Sequence, residues 1–391
     1  MKKETKAIHT AYQENDPYGA LAMPVYHCAA YEFPNAAEMI ESFCNRSNKP
    51  DYSRVTNPTV IYFENKVKAL TEADNVIAFS SGMAAISNAL ICLSAAGKNI
   101  VSSQHMFGNT YAFLNSTLAR FNVETKLCDL TNIDEVEKNV DENTCCIYLE
   151  IVTNPQLEVA DLGQLAAVAK RFNIPLVADT TAIPFTEFEA KKLGVDIEIV
   201  SSTKYLSGGG TSIGGLVIDY GTCPGFGKRM KQEMLLNLGA YMTPHVAYMQ
   251  TLGLETLDAR YRMQAGNALE LATRLRTVPE ICHVNYIGLP DNPYYELSQR
   301  QFGPTGGAML TIELADKESC FSFINRLKLV KRATNLFDNR TLAIHPASTI
   351  FGNFTESQLQ DMDVSDRIIR ISVGLEAVDD IFEDIQQAVK K

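Results

Sequence analysis

Lys204 stands in Ser201-Ser202-Thr203-Lys204-Tyr205-Leu206-Ser207-Gly208-Gly209-Gly210, directly after the apolar run Asp196-Ile197-Glu198-Ile199-Val200. An amine held at the C-terminal end of a strand can attack a carbonyl carbon, and the hydroxyls of Ser201 and Thr203 beside it can hydrogen-bond a phosphate. A cluster of Ser, Thr, Lys and Gly is more often a solvated loop, so a second signal has to support it. That signal is Asp179, which closes another buried-looking strand, Ile174-Pro175-Leu176-Val177-Ala178. An acid and an amine on the ends of two strands of one sheet suit a heteroaromatic aldehyde. The amine bonds the aldehyde carbon, and the carboxylate keeps the ring nitrogen protonated so that the ring can accept electrons.

A third signal is Ser80-Ser81-Gly82-Met83-Ala84, at a strand-to-helix turn. By itself it reads as an N-cap serine followed by a close-packing glycine. In one sheet with Lys204 and Asp179, the first N–H groups of that helix become an anion cradle. The three signals together suit pyridoxal 5'-phosphate.

The elements that must position these groups follow from pattern. Val76–Phe79, Ile100–Val101, Val123–Leu127, Cys146–Leu149, 174–178 and 196–200 are short apolar runs. Helical patterns separate them: Met83–Leu93, Tyr111–Arg120, Ile133–Asn139 and Leu162–Arg171, with a short mixed segment at Glu187–Leu193. This alternation predicts an α/β fold, a mostly parallel sheet with helices on both faces, which binds ligands beyond the carboxyl ends of its strands. Residues 1–60 lack periodicity and read as an arm. Residues 61–245 form the cofactor-binding domain. Near Pro244 the pattern changes to one long helix, Ala247–Thr277, opening a smaller α+β domain over 246–391 that ends in Ile368–Val373 and a helix from Asp379.

Composition narrows the function classes. The chain has 391 residues, 46% of them hydrophobic and 21% charged, enough for two or three domains with a large core. Its net charge of −11 includes no basic run, which gives nucleic acid or an anionic membrane no electrostatic purchase. No stretch approaches the roughly 18 apolar residues of a membrane span, and Met1-Lys2-Lys3-Glu4-Thr5 leads into no apolar leader, so a cytoplasmic protein is expected. Nine cysteines without a C-x-x-C pair read as reduced, and six histidines without ligand spacing predict no metal site. The glycines follow the lysine, whereas a nucleotide-binding P-loop needs G-x-x-x-x-G-K-[ST].

Four segments together resemble the Cys/Met-metabolism family of pyridoxal-phosphate enzymes, of aspartate-aminotransferase-like fold. They are Asp51-Tyr52-Ser53-Arg54-Val55-Thr56-Asn57-Pro58-Thr59, Ser81-Gly82-Met83, Ser201-x-Thr203-Lys204-Tyr205 and Arg370-Ile371-Ser372-Val373-Gly374-Leu375-Glu376. The resemblance spans almost the whole chain. It implies that Lys204 is the Schiff-base lysine and proton carrier, and that Asp179 pairs with the pyridinium nitrogen. Phe107 falls where the ring-stacking aromatic sits, and Asn154 would hydrogen-bond the phenolic oxygen of the cofactor. The phosphate would lie on the Gly82 and Met83 amides beside Ser81, with the Ser201 and Thr203 hydroxyls. Tyr52 and Arg54 would reach it from a neighbouring subunit, making a homo-oligomer, expected as a dimer of dimers with shared active sites. Arg370 would hold the substrate α-carboxylate by its bidentate fork, with Asn335 and Tyr52 also at the substrate. Without such roles, Arg370 would serve as a structural partner of Glu376 or Asp366, and Asn154 would open a turn.

Two departures bear on the reaction. Phe107 stands where most members carry tyrosine, and Asn109 where methionine γ-lyases carry cysteine. The segment Ala333-Thr334-Asn335-Leu336-Phe337-Asp338-Asn339-Arg340-Thr341-Leu342-Ala343-Ile344-His345-Pro346-Ala347-Ser348-Thr349 resembles the homoserine-ester sulfhydrylase form, with Phe337 for a usual glycine and Ile350 for a usual polar residue. The resemblance therefore implies γ-replacement on O-acetyl-L-homoserine by sulfide or methanethiol, with a methionine or cystathionine γ-lyase, or a β-lyase, as the alternative.

Overall fold

The computed structural model describes residues 1–10, 18–44 and 46–390. Its main sheet has seven strands: β1 (Asn75–Phe79), β2 (Asn99–Ser103), β3 (Glu124–Cys128), β4 (Thr144–Glu150), β5 (Leu176–Asp179), β6 (Ile197–Val200) and β7 (Gly215–Asp219). Their order is β1-β7-β6-β5-β4-β2-β3, parallel except for β7, which runs antiparallel to both neighbours. Strands covered on both faces must be apolar throughout, and Val177, Ala178, Ile197, Ile199, Leu216 and Val217 are fully buried. This is the expected α/β architecture, with β7 an addition that the alternation did not reveal. The carboxyl ends of β1, β4, β5 and β6 share one edge, and Ser81, Glu150, Asp179 and Lys204 stand there.

Local signals set the helix ends. The Ser81 hydroxyl caps the helix Gly82–Leu93 by accepting from the Ala84 N–H at 3.0 Å. The Asp161 carboxylate does the same for Leu162–Phe172, which stops at Asn173 in the left-handed region. The predicted helix Tyr111–Arg120 is less regular: Gly108–Ala112 is α-helical, Phe113–Thr117 is π-helical and Leu118–Phe121 is a 3-10 turn.

The long helix expected over 247–277 is two helices, Pro244–Glu255 and Leu257–Leu275, broken at Thr256. Gly253 packs so closely on the turn after Lys204 that a Cβ there would collide with the Leu206 carbonyl oxygen. At the break, Arg260 reaches back to the freed Gly253 carbonyl at 2.5 Å and to the Thr256 hydroxyl at 3.1 Å. Thr243 caps the first of the two helices, with Pro244 in its first turn.

The second sheet has five strands, Lys331–Arg332, Leu342–Ile344, Ile368–Ser372, Met309–Glu313 and His283–Asn285 in spatial order, antiparallel except for the first pair. Ala268, Leu271, Leu275, Ile381 and Ile385 pack its own core. Among the first sixty residues, the described parts include two short helices, Lys3–His9 and Ala36–Phe43. The first is fastened by Lys3, whose ammonium donates to the Phe185 and Phe188 carbonyls. The second leaves Met39, Ile40 and Phe43 about half exposed.

Candidate active site

A cavity of about 760 Å³ opens between the two sheets at the carboxyl edge of the larger one. Its lining brings together Ser81, Gly82, Met83, Phe107, Asn154, Asp179, Ser201, Thr203, Lys204, Asn335 and Arg370. Tyr52 and Arg54 are elsewhere, on a separate concavity lined by residues of the N-terminal segment and of the loop after β7. There the Arg54 guanidinium lies 5.5 Å from the Tyr52 ring centroid and donates to the Leu236 carbonyl.

At one end of the cavity are hydrogen-bond donors. The Gly82 and Met83 N–H groups lie in the first turn of their helix, where no intrahelical acceptor exists. Gly82 is sterically required: a Cβ on it would stand 2.6 Å from Ser201 Cβ and 2.7 Å from its hydroxyl. The Ser201 N–H donates to the Thr181 hydroxyl at 2.8 Å, and the Thr203 hydroxyl exchanges bonds with the Gly214 backbone at 3.1 Å. These contacts hold the loop before Lys204 against the helix start.

At the other end lies a pair of buried acids, placed side by side by the register of β4 and β5, Glu150 beside Asp179. Burial raises the Asp179 carboxyl, while the Thr181 N–H at 2.9 Å and the Lys204 charge hold it down. Glu150 is pushed up to about 8 by burial and by Asp179, although it accepts the Phe107 N–H at 2.7 Å. Both carboxyls are thus lifted above the usual carboxylate range, and of the two Asp179 is the one that faces an opposing Lys204 charge. Glu150 escaped the sequence reading, although it ends an apolar strand just as Asp179 does.

Lys204 is held down to about 8, first by burial, then by the Arg370 charge, with Asp179 opposing. Its Nζ donates to Asn335 Oδ1 at 3.1 Å. Arg370 is 2% exposed and has no carboxylate partner among the described residues. It donates from Nη1 to Asn154 Oδ1 at 3.0 Å and from Nη2 to the Thr334 carbonyl at 3.0 Å, while its Nε is buried without a partner. Neither structural alternative is realised: Glu376 accepts from the Thr341 N–H and hydroxyl, and the Asp366 carbonyl bonds His345. Burial holds the guanidinium down to about 9.

The arrangement fits pyridoxal phosphate. It offers anion donors with no carboxylate among them at one end, a buried carboxyl at the other and, between them, a primary amine held down to about 8. It also offers an unpaired buried cation for a substrate carboxylate. The Gly208–Gly210 run serves another purpose, seating the 335–340 segment: the Asn339 amide donates to the Gly208 carbonyl at 3.0 Å and Arg340 to the Gly209 carbonyl at 3.1 Å.

Comparison with known proteins agrees. The family model for Cys/Met metabolism PLP-dependent enzymes matches residues 4–390. An L-methionine gamma-lyase of Fusobacterium nucleatum subsp. nucleatum is 36% identical, covering 100% of this chain and 99% of its own length. An O-acetyl-L-homoserine sulfhydrylase of Corynebacterium glutamicum is 30% identical over 98% of this chain and 95% of its own. Among solved structures, an O-acetylhomoserine (thiol)-lyase of Campylobacter jejuni, carrying pyridoxyl-lysine phosphate, superposes with a TM-score of 0.96 at 31% identity over 100% of both chains. An O-acetylhomoserine sulfhydrylase of Wolinella succinogenes is 41% identical over 85% of this chain and 97% of its own, with a TM-score of 0.77.

Proposed function

The chain belongs to the Cys/Met-metabolism family of pyridoxal-phosphate-dependent enzymes, and from that premise we propose that it replaces the γ-substituent of an O-acylated homoserine with a thiol. The donor in this reading is O-acetyl-L-homoserine, and sulfide or methanethiol gives homocysteine or methionine plus acetate.

When bound, the cofactor supplies an electron sink for the charge that develops at the substrate α-carbon. The protein supplies the rest. The Gly82 and Met83 amides and the Ser201 and Thr203 hydroxyls would hold the phosphate, and Phe107 the ring face. Asn154 would meet the phenolic oxygen, and Asp179 would meet the ring nitrogen, whose positive charge favours an ionised carboxylate. Arg370 takes the substrate α-carboxylate and so fixes which bond at Cα faces Lys204. Lys204, neutral in a large fraction near pH 8, accepts the proton from Cα. A second proton must leave Cβ before the γ-group departs, and Lys204 can take it once it has handed the Cα proton on to the cofactor.

The observation that carries the choice of substrate is the lining itself. No phenol, thiol or imidazole of the described residues lines the cavity, because Phe107 and Asn109 stand at the positions where a hydroxyl or thiol would. The one raised acid of the lining besides Asp179 is Glu150, pushed up to about 8, which accepts the Phe107 N–H through Oε1. A carboxylate leaves at neutral pH without a proton, whereas a thiolate, with a thiol pKa of about 8.5 or above, leaves well only if protonated. Within one chain's own lining the site suits an ester leaving group, and the Tyr52 phenol of a neighbour would enter beside the phosphate. The second reading, a C–S lyase, is favoured by the 36% identity to a methionine gamma-lyase.

A leaving-group series separates them. Acetyl and longer acyl esters of homoserine should turn over at least a hundredfold faster than methionine or cystathionine. Comparable rates for esters and thioethers would overturn the ester reading. The same reading includes a cytoplasmic homo-oligomer in which Tyr52 and Arg54 complete a neighbour's phosphate site. It is supported by their distance from their own cavity and by the exposed Met39, Ile40, Phe43 and Ile213 side chains.

A further inference from the structure

Lys204 Nζ hydrogen-bonds Asn335, and the chemistry of an amide makes that contact ambiguous. Asn335 can turn either its carbonyl oxygen or its NH₂ toward the amine, and the two orientations act oppositely on it. The oxygen accepts from an ammonium and favours the protonated form, whereas the NH₂ repels it. Something must choose. Asp338, three residues on, is 5% exposed, and its carboxylate can only accept. Its Oδ2 accepts from Asn335 Nδ2 at 3.4 Å, which leaves Asn335 Oδ1 for Lys204.

The carboxylate is itself held. Arg340 donates from Nε to Asp338 Oδ1 at 2.7 Å and from Nη2 to Oδ2 at 3.1 Å, and the Arg340 N–H adds a bond at 3.1 Å. Arg340 is braced by the Gly209 carbonyl at 3.1 Å. Gly210 makes the approach possible: a Cβ on it would collide with Asp338 Oδ2 and stand 3.0 Å from Asn335 Nδ2. The segment thus forms a chain from Arg340 through Asp338 and Asn335 to Lys204, seated on the glycines that follow the lysine. The other charges bearing on Lys204 are Arg370 and Asp179.

We propose that Asp338 is a positioning residue that, braced by Arg340, locks the Asn335 amide so that its oxygen faces Lys204 and sets the protonation of the reactive amine. This rests on the reading of Lys204 as the cofactor-binding lysine, and it adds a residue of the cavity lining that acts on Lys204 through Asn335.

The test uses the full chain in two forms. Loaded with pyridoxal phosphate and reduced with borohydride, the wild type must carry the pyridoxyl mass on the Lys204 peptide; failure here would overturn the reading of Lys204 itself. In protein freed of cofactor, acylation of Lys204, read peptide by peptide across pH 6 to 10 by mass spectrometry, gives the pKa of the amine in a series of variants. Asp338→Ala should lower it by roughly half to one pH unit, and Asn335→Ala by a similar amount. The double variant should match Asn335→Ala alone, because Asp338 acts only through the amide. If Asp338→Ala does not fold, Asp338→Asn keeps the shape but lets Asn335 take either orientation, and should lower the value in the same direction. An unchanged Lys204 value in the Asp338 variants, or additive effects in the double variant as a direct charge would give, would overturn the proposal.

Discussion

Arg370→Met separates what this arginine does for substrate from what it does for the fold, because the two effects have opposite signs. A guanidinium held down to about 9 by burial alone is disfavoured by on the order of 4–5 kcal/mol relative to one in water, at about 1.36 kcal/mol per pH unit. Against this stand its bonds to Asn154 and the Thr334 carbonyl, together about 2–3 kcal/mol. Removing the charge while keeping an apolar stem of similar length should therefore stabilise the substrate-free protein by about 2 kcal/mol, a rise of a few degrees in Tm. With substrate bound, the variant loses the partner of a buried carboxylate. That loss is worth about 3–5 kcal/mol, or a fall of roughly 10² to 10⁴ in kcat/KM. The assay pairs thermal unfolding of the protein with kcat/KM on O-acetyl-L-homoserine and on the same ester lacking its α-carboxylate. For the truncated substrate, wild type and variant should agree within severalfold. The reasoning is refuted if the variant keeps kcat/KM within about fivefold on the full substrate, or loses as much on the truncated one.

Three further predictions concern the same cavity. Phe107→Tyr restores a hydroxyl next to the leaving group and should raise 2-oxo acid release from methionine by at least tenfold with little change on the acyl ester, measured as 2-oxobutyrate. With Lys204 held at about 8, proton abstraction should strengthen as pH rises through 8, so kcat/KM should climb with slope one below that value and level above it; a flat profile between pH 6.5 and 9 would contradict it. Phe337→Gly releases a bulky residue from φ 56°, worth about 1–3 kcal/mol, but deletes a buried ring stacked 4.1 Å from that of Tyr205, worth about 3–5 kcal/mol; a lower Tm with better turnover of bulkier acyl esters is expected.

Much of the larger domain was legible because its signals are local. Short apolar runs alternating with capped helices give a parallel sheet, and acids or amines at run ends give Asp179 and Lys204. Glu150 was available to the same logic at the end of Cys146–Leu149. The break at Thr256 was not legible, since helical periodicity continues through it, and neither was the close approach of Gly253 to the Leu206 carbonyl just before it. The order of residues spoke against a P-loop role for glycines 208–210 but did not say what they do, which is to accommodate a segment more than a hundred residues later in the chain. For the same reason the tie between Asp338 and Lys204 leaves no mark in spacing. Tyr52 and Arg54 could be recognised by motif but not located, because nothing local states which cavity they face.

The most direct test of the central claim is the product balance of purified enzyme supplied with pyridoxal phosphate and O-acetyl-L-homoserine, with and without sulfide. Homocysteine appearing in step with acetate only when sulfide is present, with 2-oxobutyrate a minor product, is the predicted result. Stoichiometric 2-oxobutyrate irrespective of sulfide would contradict it and place the chain among the lyases.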